Sequence, residues 1–288
     1  MCDQDHLAEM AVKGGVNRRE FGALSAMAAL AACATSEGVR AQGGLVENDV
    51  SFAAPGGTMD AWFVHPAQGK HPAVIVWPDI AGLRDAFKVM GRRLAGAGYS
   101  VLVVNPFYRN LPAPQFKDFA DFRDNDGFNK VRPWMAENSH EHVMETAKAV
   151  VEWLDKQGAV DTAKGIGTQG YCMGGPFVVR TTAAVPGRVK AGASFHGGGL
   201  VGDTPDAPSN LLKDAQASYL FAIAQNDDAR APTDKDKLRE AAAAAGRPAE
   251  IEVYHGDHGW TVPDSPVYNQ AEADRAWERM LHLYSTAL

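Results

Sequence analysis

From about residue 45 to the C-terminus, short apolar runs alternate with longer amphipathic stretches. The segments "VENDVSFAA" and "MDAWFVHP" flank the turn "PGG", which predicts an antiparallel β-hairpin. "AVIVW" (73–77) and "SVLVVNP" (100–106) are continuous apolar runs, as expected of strands covered on both faces. "GIGTQGYC", "VKAGASFHG", "ASYLFAIAQND" and "AEIEVYHG" predict four more strands.

The amphipathic stretches between these runs predict five helices, over 84–98, 139–158, 176–185, 233–246 and 265–287. Ser139 is a candidate N-cap, and Gly98 and Gly246 stand where helices commonly end. Strands that alternate with helices predict a mainly parallel sheet with helices on both faces. Because no repeat or linker divides the segment, we expect residues 42–288 to form one domain.

A long segment rich in Pro, Asp and Phe interrupts this alternation between 108 and 133. Its phenylalanines either form an apolar cap over a site or anchor the segment to the core; they are Phe116, Phe119, Phe122 and Phe128.

The first 41 residues read as a leader rather than as part of the domain. Arg18 and Arg19 precede a weakly apolar run that begins at Phe21, and this run is too short to span a bilayer. The arrangement resembles a twin-arginine export signal, which predicts a periplasmic protein. A buried amphipathic helix is the alternative, although the Ala-rich run shows no polar face.

Two cleavage positions fit this leader. "LAAC" resembles a lipoprotein box that would leave Cys33 as a lipidated N-terminus, and "VRA" before Gln42 fits an ordinary cleavage site. Either cleavage removes Cys2, and export would leave Cys172 as the one cysteine that does not belong to the leader.

Composition and charge favour a small-molecule ligand or no ligand. The 288 residues are 45% hydrophobic and carry a formal net charge of −7 at pH 7, without a basic tract. Because phosphate binding requires clustered Lys and Arg, nucleic acid is not expected as a partner.

The candidate chemistry begins in "GYCMG", where Cys172 stands between glycines at a strand-to-helix corner. A nucleophile on such a sharp turn requires small neighbours two residues before and after it. The N-terminus of the following helix favours thiolate over thiol, and the Met173 amide would supply half of an oxyanion hole. A buried structural cysteine in a tight turn is the alternative.

An acid and a base follow the nucleophile in chain order, each after a predicted strand. "QNDDARAP" places Asp227 and Asp228 after one strand, and "HGDHGW" places His258 after the next. The carboxyl edge of a parallel sheet is where such folds keep their sites. There the imidazole would take the thiol proton, and an aspartate would fix its tautomer.

"GYCMGG", the aspartate after the preceding strand and "HGW" in the last loop resemble the dienelactone hydrolase family, from about residue 48 to the C-terminus. The resemblance implies an α/β-hydrolase fold. It also implies Cys172 as nucleophile, Asp227 as triad acid and His258 as base. Counting back from Pro232 favours Asp228 as the acid instead; we favour Asp227.

The resemblance extends to "VIVWPDIAGL" and "NPFYRN". It implies the Ile80 amide as the second oxyanion donor. Asp79 stands where the family usually has a glutamate that assists thiol deprotonation, but its side chain is one methylene shorter. Asp79 and Arg109 are the candidate substrate-binding residues; the alternative for Arg109, which would grip a substrate carboxylate, is a solvated surface arginine.

We therefore expect a hydrolase of a small ester or lactone that acts through a thioester and requires neither a metal nor an organic cofactor. The resemblance suggests a lactone that carries a carboxylate. A broad-specificity periplasmic carboxylesterase or lactonase is the first alternative. A non-catalytic or thiol-redox protein is the second, although a redox sensor would favour a nearby resolving cysteine. The oligomeric state is not predicted.

Overall fold

The computed structural model describes residues 39–41 and 44–288. A nine-stranded sheet forms the centre of this part of the chain. Its strands in chain order are β1 (Val39–Ala41), β2 (Leu45–Ala54), β3 (Gly57–Pro66), β4 (Ala73–Trp77), β5 (Ser100–Val104), β6 (Ile166–Tyr171), β7 (Val189–Phe195), β8 (Ser218–Ala224) and β9 (Ala249–Tyr254).

The spatial order of the strands is β1-β2-β3-β5-β4-β6-β7-β8-β9. Strands β4 to β9 are mutually parallel, whereas β1, β2 and β3 pair antiparallel at one side. In register, Val74 of the central strand β4 lies between Val101 and Gly167. The predicted hairpin and the mainly parallel sheet are both confirmed.

Helices cover both faces of the sheet, and four of them were not predicted as separate elements. In chain order they are α1 (Asp85–Gly96), α2 (Phe119–Asp124), α3 (Gly127–Ala136), α4 (His140–Leu154), α5 (Gly175–Ala184), α6 (Pro208–Leu211), α7 (Gln225–Arg230), α8 (Asp234–Ala244) and α9 (Gln270–Ala287).

The strands of the sheet centre are buried on both sides, as their unbroken apolar sequences predict. In β4, Ile75 and Trp77 belong to one core cluster, and the intervening Val76 belongs to the cluster on the opposite face. The indole of Trp77 packs edge-on against Phe177 of α5 at a centroid distance of 5.6 Å. Helix α5 is thereby held against the end of β4.

The segment between β5 and α4 is not an irregular excursion, because it forms α2 and α3. Asp118 caps α2 by accepting a hydrogen bond from the Asp121 amide. These helices are short, and α3 contains Pro133, so the sequence lacks the long apolar period that announces a helix.

The buried phenylalanines of this segment anchor it to the core, which is one of the two alternatives that the sequence left open. Phe116, Phe119 and Phe122 are buried, and Phe116 and Phe122 pack edge-to-face at 5.1 Å. They belong to the same core cluster as Ile80, Cys172 and Met173. They therefore anchor the segment to the core, and an apolar cap over the site stays a prediction.

The leader predictions fall almost entirely outside the described residues, including Arg18, Arg19 and Cys33. Val39–Ala41 forms the edge strand β1 against β2, and the domain boundary at residue 42 stays a prediction. Within residues 39–41 and 44–288, no helix has the length and apolar character needed to cross a membrane.

Candidate active site

The strand β6 ends at Tyr171, and the chain turns directly into α5 through a short 3₁₀ turn, Cys172–Gly174. Cys172 has a φ of 53°, in the left-handed region that few residues other than glycine adopt. Its side chain is 5% exposed. A cysteine held in strained backbone at the start of a helix is the geometry of a nucleophile elbow.

The two glycines of the elbow are required by close backbone contacts. A Cβ atom at Gly170 would clash with the Gly174 carbonyl group. A Cβ atom at Gly174 would lie 2.5 Å from the Trp77 carbonyl oxygen and 2.7 Å from that of Pro78. The predicted reason for the glycine spacing is confirmed, and the elbow lies against the loop that follows β4.

Cys172 is disulfide-bonded in this structure. Cys2 and Cys33, the other cysteines of the chain, lie outside the described residues. Attack on a carbonyl carbon requires a thiolate, so a nucleophilic role of Cys172 requires its reduced form.

A histidine–aspartate pair is assembled from the loops that follow β8 and β9. His258 Nδ1 donates to Asp227 Oδ2 over 2.7 Å, and the His258 imidazole is mostly buried. Because a carboxylate only accepts, the proton of the neutral ring lies on Nδ1, and Nε2 is the basic nitrogen. The His258 amide also donates to Asn226 Oδ1 over 2.9 Å, which ties the two loops together.

The structure distinguishes the two adjacent aspartates. β8 ends at Ala224, earlier than predicted, and Asp227 lies in the first turn of α7. Asp228 instead accepts from Lys235 Nζ over 2.6 Å. The arrangement therefore brings Asp227, and not Asp228, to the His258 ring.

A second histidine, His196, lies at the end of β7 between the elbow and the His258 loop. The Cys172 amide donates to His196 Nδ1 over 3.1 Å, so Nδ1 carries no proton. The proton is then on Nε2, which donates to Thr261 Oγ1 over 3.0 Å. The His196 and His258 ring centroids are 4.9 Å apart. His196 thus links the nucleophile's backbone to the loop that carries the base.

The two proposed oxyanion donors lie on segments that touch. Ile80 follows Pro78 by two residues, and Met173 precedes Gly174, whose Cα faces the Trp77 and Pro78 carbonyl groups. Ile80 and Met173 are both buried and share a core cluster with Cys172. The two segments therefore lie side by side, and the role of the two amides as donors to one oxyanion stays a prediction.

The family model described as the dienelactone hydrolase family matches residues 59–288. Relatives with the provisional name carboxymethylenebutenolidase are 27% identical in Methylorubrum extorquens, over 82% of this chain and 80% of the relative, and in Escherichia coli, over 83% and 87%.

The chain belongs to the dienelactone hydrolase family. It is a hydrolase that acts on ester bonds. A Klebsiella pneumoniae crystal structure with a provisional dienelactone hydrolase name has the same fold, with a TM-score of 0.70, 24% identity, and coverage of 84% of this chain and 98% of that one. The predicted α/β-hydrolase fold is confirmed.

The two substrate-binding candidates implied by the family resemblance are both engaged within the protein. Asp79 is 4% exposed, and its carboxylate accepts from Arg84 Nη1 and Nη2 over 2.7 and 2.9 Å. Arg109 Nη2 donates to the His142 carbonyl and to Thr146 Oγ1 of α4, over 3.2 and 3.1 Å. A substrate role for either residue stays a prediction.

Sequence reasoning missed several residues that shape the site of this dienelactone hydrolase family member. No role in holding the nucleophile was predicted for His196, and Asn226, Thr261 and Arg84 were not singled out. Apart from the pair of Arg84 with Asp79, their partners are distant in sequence, so periodicity and spacing carry no signal for them. In the part of the chain that the structure describes, no three His, Cys, Asp or Glu side chains are grouped as a metal site requires.

We expect His196→Leu to lower the kcat of the reduced enzyme about tenfold. The substitution leaves the buried Cys172 amide without its acceptor, and an unsatisfied buried N–H costs roughly 1–3 kcal/mol. His196→Asn should retain most activity, since asparagine tolerates the φ of 40° at this position and its Oδ1 can replace Nδ1 as acceptor. Both are measured with p-nitrophenyl acetate on variants with wild-type circular dichroism. A fully active His196→Leu enzyme would show that this bond does not position the nucleophile.

Proposed function

We propose that this protein hydrolyses small esters or lactones through a Cys172–His258–Asp227 triad and a thioester intermediate. The observation that carries the proposal is the 2.7 Å bond from His258 Nδ1 to Asp227 Oδ2. This pair lies beside the elbow, because the neighbouring His196 ring accepts a hydrogen bond from the Cys172 amide. The carboxymethylenebutenolidase names of the relatives support a lactone as substrate.

In the first half of the proposed reaction, His258 Nε2 takes the Cys172 proton and the thiolate attacks the carbonyl carbon. The carbonyl oxygen becomes an oxyanion that accepts from the Ile80 and Met173 amides. When the tetrahedral intermediate collapses, the C–O bond breaks and the leaving alkoxide takes the proton from His258. Cys172 is then acylated as a thioester.

In the second half, His258 Nε2 removes a proton from water and the hydroxide attacks the thioester carbon. The C–S bond breaks, the thiolate recovers the proton from His258, and the acid product leaves. Asp227 remains ionised throughout and stabilises the imidazolium in both halves. The N-terminus of α5 stabilises the thiolate, because the elbow delivers the sulfur to the positive end of the helix dipole.

The family resemblance suggests a lactone that carries a carboxylate, with Arg109 as its partner. A second candidate, a broad-specificity carboxylesterase or lactonase, is supported by the surroundings of Arg109. Its guanidinium donates to α4, stacks over the Tyr108 ring at 4.7 Å and packs against Gly56 of the β2–β3 turn. An arginine held in this way is committed to structural contacts and is less available to a substrate carboxylate.

The triad is tested by measuring hydrolysis of p-nitrophenyl acetate and of a dienelactone by protein reduced with dithiothreitol. We expect Cys172→Ala and His258→Ala to lose essentially all turnover, and Asp227→Asn to lower kcat about 10²–10⁴-fold because the imidazole then adopts the wrong tautomer. A kcat/KM that is much higher for the dienelactone than for p-nitrophenyl acetate supports the carboxylate-bearing substrate. Similar kcat/KM values for the two substrates support the broad esterase.

Asp228→Asn is the matched control for this series. It removes a neighbouring carboxylate of the same size, whose partner is Lys235 on α8. Its kcat should stay within about twofold of wild type, since a partly exposed ion pair away from the His258 ring contributes only about 0–1 kcal/mol. Unchanged turnover in Cys172→Ala, or a larger loss in Asp228→Asn than in Asp227→Asn, would refute the proposed triad.

We also propose that the protein is exported to the periplasm by the twin-arginine-type leader, with cleavage that leaves either Cys33, as a lipid-anchored N-terminus, or Gln42 first. A double Arg18→Lys, Arg19→Lys variant should stay in the cytoplasm because the signal depends on this arginine pair. Cell fractionation and N-terminal sequencing of the exported chain measure both points. Wild-type protein found only in the cytoplasm would contradict the proposal.

A further inference from the structure

Arg84 is a buried arginine at the start of α1 that holds two carboxylates at once. Its side chain is inaccessible to solvent. It donates to Asp79 Oδ1 and Oδ2 over 2.7 and 2.9 Å, and to Asp264 Oδ2 and Oδ1 over 2.7 and 2.8 Å. Both pairs are bidentate, which is the strongest geometry available to a guanidinium and a carboxylate.

The charge state of this network follows from its composition. Burial by itself lowers the pKa of Arg84, but the charges and hydrogen bonds of Asp79 and Asp264 outweigh it and raise the pKa above its ordinary value. One cation therefore faces two carboxylates. Neither carboxylate can lose Arg84 without leaving a buried charge uncompensated.

The network joins three segments around the candidate site. Asp79 belongs to the loop after β4 that carries Ile80. Asp264 lies six residues after His258, in the loop that carries the base. Asp264 Oδ2 also accepts from the Phe119 amide at the start of α2, over 2.9 Å. Arg84 thus connects the proposed oxyanion loop to the base loop and to the phenylalanine-rich segment.

Within the oxyanion loop, the Asp79 carboxylate fixes the backbone on both sides of Ile80. Asp79 Oδ1 accepts from the Ala81 amide over 2.9 Å, and the Asp79 carbonyl accepts from the Gly82 amide over 3.0 Å. Gly82 completes this turn with a φ of 78°, which glycine adopts without strain. The orientation of the Ile80 amide is therefore set by a turn whose side-chain acceptor is held by Arg84.

The same contacts keep the Asp79 carboxylate engaged with Arg84 and with its own loop. Both of its oxygens already accept hydrogen bonds from a guanidinium, and Oδ1 accepts a backbone amide in addition. A carboxylate that takes the proton from a thiol must contact the sulfur through one of these oxygens. The family role of the corresponding glutamate, which assists deprotonation of the thiol, does not fit a carboxylate engaged in this way.

We infer that Asp79, Arg84 and Asp264 are positioning residues that aim the Ile80 amide at the oxyanion, and that Asp79 does not activate the Cys172 thiol. This inference rests on the proposed function, because it assigns the network to a step of that reaction. It predicts that damage to the network slows acyl transfer but leaves the reactivity of the thiol unchanged.

The test compares Asp79→Asn and Asp264→Asn with wild type, all reduced, in two assays. Steady-state hydrolysis of p-nitrophenyl acetate reports acyl transfer, and the pH dependence of Cys172 alkylation by iodoacetamide reports thiolate formation without an oxyanion. Each variant should lose about tenfold or more in kcat with KM changed less than about threefold, as expected when a transition-state interaction is lost. Both alkylation profiles should match wild type.

Asp85→Asn is the matched control. Asp85 is exposed and adjacent to Arg84 in sequence, whereas the ion pairs of Arg84 are with Asp79 and Asp264. It should leave both assays unchanged. Arg84→Lys is the second variant, should an asparagine variant fail to fold. A lysine keeps the buried cation but cannot form two bidentate pairs, so its kcat should also fall without a change in alkylation.

Two results would overturn the inference. An alkylation profile shifted to higher pH in Asp79→Asn, together with the loss of turnover, would show that Asp79 activates the thiol. A wild-type kcat in Asp264→Asn would show that the network does not position the oxyanion loop. Wild-type turnover that survives Cys172→Ala would instead refute the proposed function itself, so the two failures are distinguishable.

Discussion

The left-handed backbone at Cys172 is the constraint on which the rest of the site depends. A residue with φ near +53° at the end of a buried strand projects its side chain away from the sheet edge, and the next residues must enter a helix at once. This turn brings Gly174 against the carbonyl groups of Trp77 and Pro78, so the loop after β4 cannot lie elsewhere. That contact brings together the two segments that carry the proposed oxyanion donors.

The remaining side chains of the site are held by hydrogen bonds between loops rather than by the loops' own conformations. His196 accepts the Cys172 amide and donates to Thr261, and Asn226 accepts the His258 amide. Arg84 adds a third connection through Asp79 and Asp264. Groups fixed in this way need little reorganisation when charge develops during the reaction, which is the basis of electrostatic preorganisation.

Residues whose position follows from a local pattern were predictable from the sequence. Cys172, Asp227 and His258 each come shortly after an apolar run that forms a parallel strand, so one sheet edge had to collect them. The choice between Asp227 and Asp228 was harder, because both fit the strand end and only the turn of α7 separates them. The short helices α2 and α3 were missed because neither has a sustained apolar period. The link between Arg84 and Asp264 spans 180 positions, and no spacing rule reaches that far.

The central claim is that Cys172 carries the acyl group during turnover. It is tested most directly by mixing the reduced enzyme with p-nitrophenyl acetate, quenching in acid within the first turnover and mapping the acetyl group by peptide mass spectrometry. We predict an acetyl group on the peptide that contains Cys172. This acetyl group should be absent when the enzyme is allowed to complete the cycle before quenching. Sustained hydrolysis with the acetyl group on another residue, or with an unmodified Cys172 peptide under conditions that trap thioesters, would contradict it.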